Sequence, residues 1–204
     1  MDKLRLMFRA NKKVIVFLFG VFVISVIFGS VLPLFLNEPD KKLVSDYLSS
    51  FVSNIGNCDF KSMFFNGIFS NCGFLVIVFI LGISIVGVFV VIFLFFLKGF
   101  VLGFSVSSII INYGFKGILF AFSYLFPHQI INIFIYMFLT CYSISFSVRF
   151  ILFLVKKYDF NIRGSFRRLF SVLCLSLLFM LLSVSYESFL WPRLVGLLSG
   201  FLGI

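Results

Sequence analysis

Long apolar stretches separated by short polar ones dominate the chain. Charge-free runs cover residues 14–36 and 74–97, and two more follow between residues 99 and 148, interrupted only at Lys116. An α-helix needs about 20 mostly apolar residues to cross the hydrocarbon core of a bilayer. The pattern therefore predicts one membrane domain, residues 1–204, with an all-α, polytopic helix bundle.

These runs predict about five membrane spans. Residues 187–204 are an apolar tail too short to cross alone, and whether it re-enters the membrane stays open. We expect the third span to be broken, because Asn112-Tyr113-Gly114 weakens it and Pro127 ends it. A re-entrant hairpin around residues 115–126 would change the count. The predicted spans are residues 14–36, 74–97, 98–126, 129–154 and 169–186.

Basic residues indicate the orientation. Five lie in the arm 1–13 and five in the loop 155–168, whereas the segment 37–73 has three lysines against four acids. Lysine and arginine accumulate in short cytoplasmic loops. We therefore place the N-terminus, the arm and that loop in the cytoplasm, and residues 37–73 outside. The first apolar run is too long for a cleaved signal peptide, so we expect a retained span.

The outer segment contains an amphipathic helix, since apolar residues recur from Leu43 at helical spacing. One interpretation is an interfacial helix lying on the membrane or capping the bundle. The other is a docking face for an extracytoplasmic partner. The candidate contact residues are Tyr47, Phe51, Val52 and Phe60. Cys58 and Cys72 also fall in this segment, where oxidising conditions permit a disulfide that their spacing does not require.

Composition and charge exclude several function classes. The chain is 62% hydrophobic and 12% charged, with a mean hydropathy of +1.20, whereas soluble domains are about 45–50% apolar and about 25% charged. A soluble enzyme is therefore excluded. The net charge of +10 does not indicate nucleic-acid binding, because the basic residues fall between apolar runs and form no solvated patch.

Few residues in the chain could perform chemistry. His128 is the single histidine, and all seven acids, including Glu187, fall outside the predicted spans. A serine is inert without a base, and one histidine with no acidic neighbour does not build a usual zinc site. We expect no catalysis, no metal and no cofactor. An intramembrane hydrolase would require His128 beside a serine and an acid.

The remaining cations and glycines in the predicted spans have structural interpretations. We place Lys98 at a tight cytoplasmic turn between the second and third spans, and expect Lys116 and Arg149 to snorkel to the headgroups. Gly99-x-x-x-Gly103 puts two glycines on one helix face, which lets another backbone approach closely.

Several short motifs follow one another along residues 60–186. They are Asn71, then Gly82 and Gly87, then Lys98-Gly99-x-x-Leu102-Gly103, and then Pro127-His128-Gln129-Ile130-Ile131-Asn132. In this order they resemble the stage II sporulation protein M family, whose corresponding patterns are Asn-Gly-x-x-Leu-Gly and Pro-His-Gly-x-x-Glu. Lys98 stands where many members carry Asn, and Asn132 stands where many carry Glu.

The resemblance implies a role in endospore formation, in the mother-cell membrane at the sporulation septum. It implies stage II sporulation proteins D and P, which degrade peptidoglycan during engulfment, as partners besides the lipid bilayer. We therefore expect a non-catalytic scaffold that recruits or positions these enzymes. The alternative is a transporter or permease-like subunit whose path is lined by the broken third span. Homo-oligomerisation stays open.

Overall fold

The computed structural model describes residues 2–55, 60–84, 86–125, 128–155 and 161–202. Within these ranges every element is helical. A 3₁₀ turn at Leu32–Phe35 links the first two helices, with Pro33 buried in it. The α-helices are α1 (Asp2–Val31), α2 (Glu38–Ile55), α3 (Phe60–Ile83), α4 (Gly87–Leu125), α5 (His128–Leu154) and α6 (Ile162–Leu202).

Five helical segments in the described ranges are long and apolar enough to cross a membrane. This number and the absence of strands from the described ranges confirm the predicted all-α polytopic bundle. The segments are Lys12–Phe35, Phe60–Ile83, Gly87–Phe122, His128–Leu154 and Ile162–Phe189. The side of the membrane on which each end lies stays a prediction.

The boundaries of the second and third spans differ from those expected. The charge-free run 74–97 is not one helix, because α3 ends at Ile83 and α4 begins at Gly87. Ser84 closes the turn by donating its N–H to the Leu81 carbonyl at 3.0 Å, and a Cβ at Gly87 would collide with that same carbonyl. Hydropathy alone does not show this turn, since its residues carry no charge.

The third span is broken as predicted. Gly114 adopts φ 56° and ψ −133° inside α4, a conformation that L side chains rarely adopt. The segment after Gly114 folds back, because a Cβ at Gly117 would lie 2.6 Å from the Ile109 carbonyl oxygen. In an uninterrupted helix, residues eight apart are about 12 Å apart along the axis. Phe120 and Ile109 accordingly share one buried cluster.

The first and fourth helices pack through small residues. A Cβ at Gly103 would collide with the Val26 carbonyl, and one at Gly29 with the Phe100 carbonyl. Backbone therefore lies on backbone, as small residues permit in membrane bundles. The main apolar core lies between these helices and the α3–α5–α6 group.

Candidate functional site

Polar and charged side chains from four helices meet inside the bundle, in what we call the polar cluster. Each member lies within a candidate membrane span, where a polar group is expensive to bury and usually marks a functional position. The members are Asn71 on α3, Lys98 on α4, His128, Asn132 and Tyr136 on α5, and Glu187 on α6.

Helix α5 supplies three members on one face, because residues four apart in a helix are neighbours. His128, Asn132 and Tyr136 are only 1%, 2% and 4% exposed. Further along α5, Thr140 and Ser143 are fully buried as well. The buried side of α5 is therefore polar over much of its length, although the helix as a whole is apolar.

Lys98 lies between aromatic rings. Its Nζ is 4.8 Å from the Phe74 ring centroid and 5.2 Å from that of Tyr136, and its charge attracts that of Glu187. Cation–π contacts of this kind contribute about 2 kcal/mol when water is excluded. The sequence predicts Lys98 at a turn, and this prediction is wrong. The residue lies within α4, about 16 Å along the helix from Gly87.

Glu187 approaches the histidine from α6. Its Oε1 is 3.8 Å from His128 Nε2, a separation too long for a hydrogen bond and short enough for electrostatic interaction. The expectation that every acid lies outside the spans is wrong, because the fifth candidate span continues to Phe189. Among the described side chains, Glu187 Oε2 and Asn132 Oδ1 are buried without a hydrogen-bond partner.

A hydrogen bond joins α5 to α3 deeper in the cluster. The Tyr136 hydroxyl donates to Asn71 Oδ1 at 2.5 Å, and the Tyr136 ring contacts Phe74 edge-on at 4.7 Å between centroids. The same tyrosine therefore contacts both Lys98 and Asn71. Tyr136 is not among the residues predicted from the sequence, although its position four residues after Asn132 places it on the same helix face.

A serine lies near the histidine. Ser183 Oγ lies 3.5 Å from the backbone oxygen of His128, which is a contact to the main chain. Among the described residues, no group of three or more His, Cys, Asp or Glu side chains could hold a metal ion. The chemistry available in the cluster is charge pairing, hydrogen bonding and proton binding.

Comparison with known proteins identifies the family. A family model described as stage II sporulation protein M matches residues 15–192. The chain belongs to the stage II sporulation protein M family. This match confirms the resemblance inferred from the motifs, and it includes every member of the polar cluster. Among curated proteins and among solved structures, nothing matches the chain.

The motif glycines of this family member lie at helix contacts. A Cβ at Gly82 would collide with Ser143, whose hydroxyl donates to the Val78 carbonyl at 2.9 Å. A Cβ at Gly99 would collide with Ser25. Leu102, between the two glycines of its motif, is half-buried.

The contact residues predicted for the outer segment lie apart from the polar cluster, except for Phe60 at the start of α3. Tyr47 is 71% exposed on α2, and Phe60 is 47% exposed and contacts Phe64 and Phe189. Cys72 is half-buried on α3. The disulfide and the remaining contacts stay predictions, because four further candidates lie outside the described part: Cys58, Pro127 and the side chains of Phe51 and Val52.

Proposed function

We propose that this member of the stage II sporulation protein M family is a non-catalytic membrane scaffold that positions peptidoglycan-degrading enzymes at the septum during engulfment. Family membership supports a sporulation role, and this family is not a known catalytic one. The proposed partners are stage II sporulation proteins D and P, and the proposed location is the mother-cell membrane at the sporulation septum.

The observation that carries the proposal is that α2 has one apolar row buried against the bundle and a second apolar row exposed. Leu48 is buried against Ile109 and Phe120 of α4, which fixes the helix on the bundle. Leu43 and Tyr47, one turn apart on the same helix, are 68% and 71% exposed. A helix anchored by one apolar row and presenting another is suited to binding a partner.

A binding assay distinguishes a docking face from a helix that only lies on lipid. The double variant Leu43→Ser/Tyr47→Ser removes the exposed row while leaving Leu48 in place. The matched control is Asp46→Ser/Ser49→Ala, which changes exposed polar positions of the same helix. Each protein is placed in nanodiscs and titrated with the purified extracytoplasmic domains of stage II sporulation proteins D and P.

We expect the Leu43→Ser/Tyr47→Ser variant to bind at least tenfold more weakly than the control, because exposed aromatic and aliphatic anchors dominate interface energies. Equal binding by both variants would show that the exposed row faces lipid. Absence of binding by the wild type to either domain would refute the scaffold proposal itself.

One cavity favours the alternative, a permease-like subunit. A cavity of about 580 Å³ lies where the α1–α2 link meets the broken helix, and Ser108, Ile111 and Asn112 of α4 line it. The Ser108 hydroxyl is buried there without a partner among the described residues. Under this alternative, liposomes containing the protein release radiolabelled glycerol faster than empty ones, and Ser108→Leu abolishes the difference. Release at the empty-vesicle rate would exclude a glycerol path.

A further inference from the structure

We propose that Glu187 and His128, together with Lys98, form an intramembrane proton-binding site. The scaffold proposal does not use these residues, and the inference does not depend on it. The three side chains come from α6, α5 and α4, so the site exists only when these helices are packed together.

The charges of the three side chains determine how the site binds a proton. Glu187 is the only acid in the five candidate spans of the described chain, and the charge of Lys98 attracts it. With a neutral imidazole, the ammonium and the carboxylate sum to zero charge, which lowers the cost of burying them. The carboxylate and the imidazole are two proton acceptors 3.8 Å apart, and a proton bound to either one gives the site a net positive charge.

The unpartnered carboxylate oxygen of Glu187 favours proton binding over a permanent ion pair. Glu187 Oε2 is buried and has no hydrogen-bond partner in the described chain. A buried ionised oxygen without a partner is costly, and binding a proton from the aqueous phase converts the carboxylate to a neutral acid without breaking any covalent bond. The protonated oxygen becomes a donor, whereas the carboxylate is an acceptor only.

The site is open on the side of Glu187. The Glu187 side chain is 28% exposed, whereas that of His128 is 1% exposed, so a proton would enter beside Glu187. Phe189 contacts Phe60, so this part of α6 lies beside the start of α3. The groups facing the site are Lys98 from α4 and Tyr136 from α5, and Cys72 of α3 faces Tyr136 in turn.

Infrared spectroscopy of the protein in nanodiscs tests the proposal directly. A titration from about pH 8 to about pH 4, an interval that includes the ordinary pKa values of histidine and glutamate, is recorded as difference spectra. We expect the carbonyl-stretch band of a protonated, buried carboxylic acid to appear in wild type and in the exposed-acid control Asp46→Asn. Loss of this band in Glu187→Gln, with its return in Glu187→Asp, assigns the proton to this position.

The single histidine supplies an independent measurement. Because the chain contains only His128, ¹⁵N-histidine labelling of protein purified without a histidine tag gives one imidazole to observe. We expect its nitrogen shifts to change over the same pH interval as the Glu187 band, and over a different interval in Glu187→Gln. Both variants are checked for native elution by size-exclusion chromatography.

Two results would overturn the proposal. One is a Glu187 carboxylate that stays ionised, with constant imidazole shifts, across the whole interval, which would leave Lys98 and Glu187 as a structural ion pair beside a neutral His128. The other is a carboxylic-acid band that persists in Glu187→Gln. Either result leaves the docking test of α2 unaffected, since Leu43 and Tyr47 are not part of the site.

Discussion

The tight contact between α1 and α4 predicts a large effect for a single methyl group. In Gly103→Ala, the new Cβ would overlap the Val26 carbonyl oxygen and lie 3.0 Å from the Val26 Cα. The neighbouring atoms are backbone, so no side-chain rotation relieves the overlap. The two helices have to separate by about 1 Å to restore ordinary carbon–carbon distances.

The cost of this separation follows from the packing that it disrupts. A gap of 0.5–1 Å forfeits roughly a quarter to a half of the dispersion energy of each contact across it. The Ser107 hydroxyl donates to the Ser30 carbonyl at 2.7 Å across the same interface, and the separation lengthens this hydrogen bond as well. Overpacked positions lose about 1–3 kcal/mol. We expect Gly103→Ala to lower the free energy of unfolding by this amount.

A matched control lies on α1, the helix that packs against α4. A Cβ at Gly20 of α1 meets nothing within 4 Å, so Gly20→Ala adds the same methyl group without a collision. Alanine also favours the helix over glycine by up to about 1 kcal/mol. Steric trapping in bicelles measures the unfolding free energy of both variants. If Gly103→Ala is as stable as Gly20→Ala, the contact between the two backbones is not as close as described.

Three further substitutions test other parts of the bundle. Gly114→Ala should lower the free energy of unfolding by about 1–3 kcal/mol in thermal unfolding, since φ is positive there although the space around the residue is open. The control Gly73→Ala, also in open space but helical, should not lower it. Equal free energies for the two variants would argue against the break. Leu48→Ala should speed amide hydrogen exchange throughout α2, because it removes the buried anchor; exposed Leu43→Ala should not, and unchanged exchange in Leu48→Ala would contradict the anchor. Tyr136→Phe should lose about 0.6 kcal/mol, the typical value of a hydrogen bond between membrane helices. Adding Asn71→Ala to it should cost less than Asn71→Ala alone, and full additivity in this double-mutant cycle would show that the two side chains are not coupled.

The apolar runs and glycine positions sufficed to predict the helical class, the approximate number of spans and the break at Gly114. They did not predict the turn at Ser84, because that turn interrupts a run without charge. The polar residues in 60–73 predict an outer segment, yet Asn71 lies inside the bundle and accepts a hydrogen bond from Tyr136. The sequence shows that a residue is polar, but it does not show which helix will shield it.

The same reasoning explains why the polar cluster was not predicted. A lysine between two apolar runs indicates a loop when only neighbouring residues are considered. Lys98 lies inside a helix because Phe74 and Tyr136, from two other helices, cover its ammonium, while Glu187 of a third supplies the opposite charge. Each of these partners is distant in sequence, so their convergence is a property of the tertiary structure.

The two halves of the bundle are therefore held together by different interactions. Helices α1 and α4 meet through glycine backbones, whereas α5 meets α3 through hydrogen bonds and meets α6 beside the His128–Glu187 pair. Lys98 lies on α4 one residue before Gly99, which packs on α1, so α4 joins the two halves. Protonation of Glu187 would weaken the attraction that holds Lys98 in the cluster while leaving the glycine contacts unchanged. A proton-dependent movement would thus alter α4 relative to α5 and α6, and would preserve the α1–α4 pair.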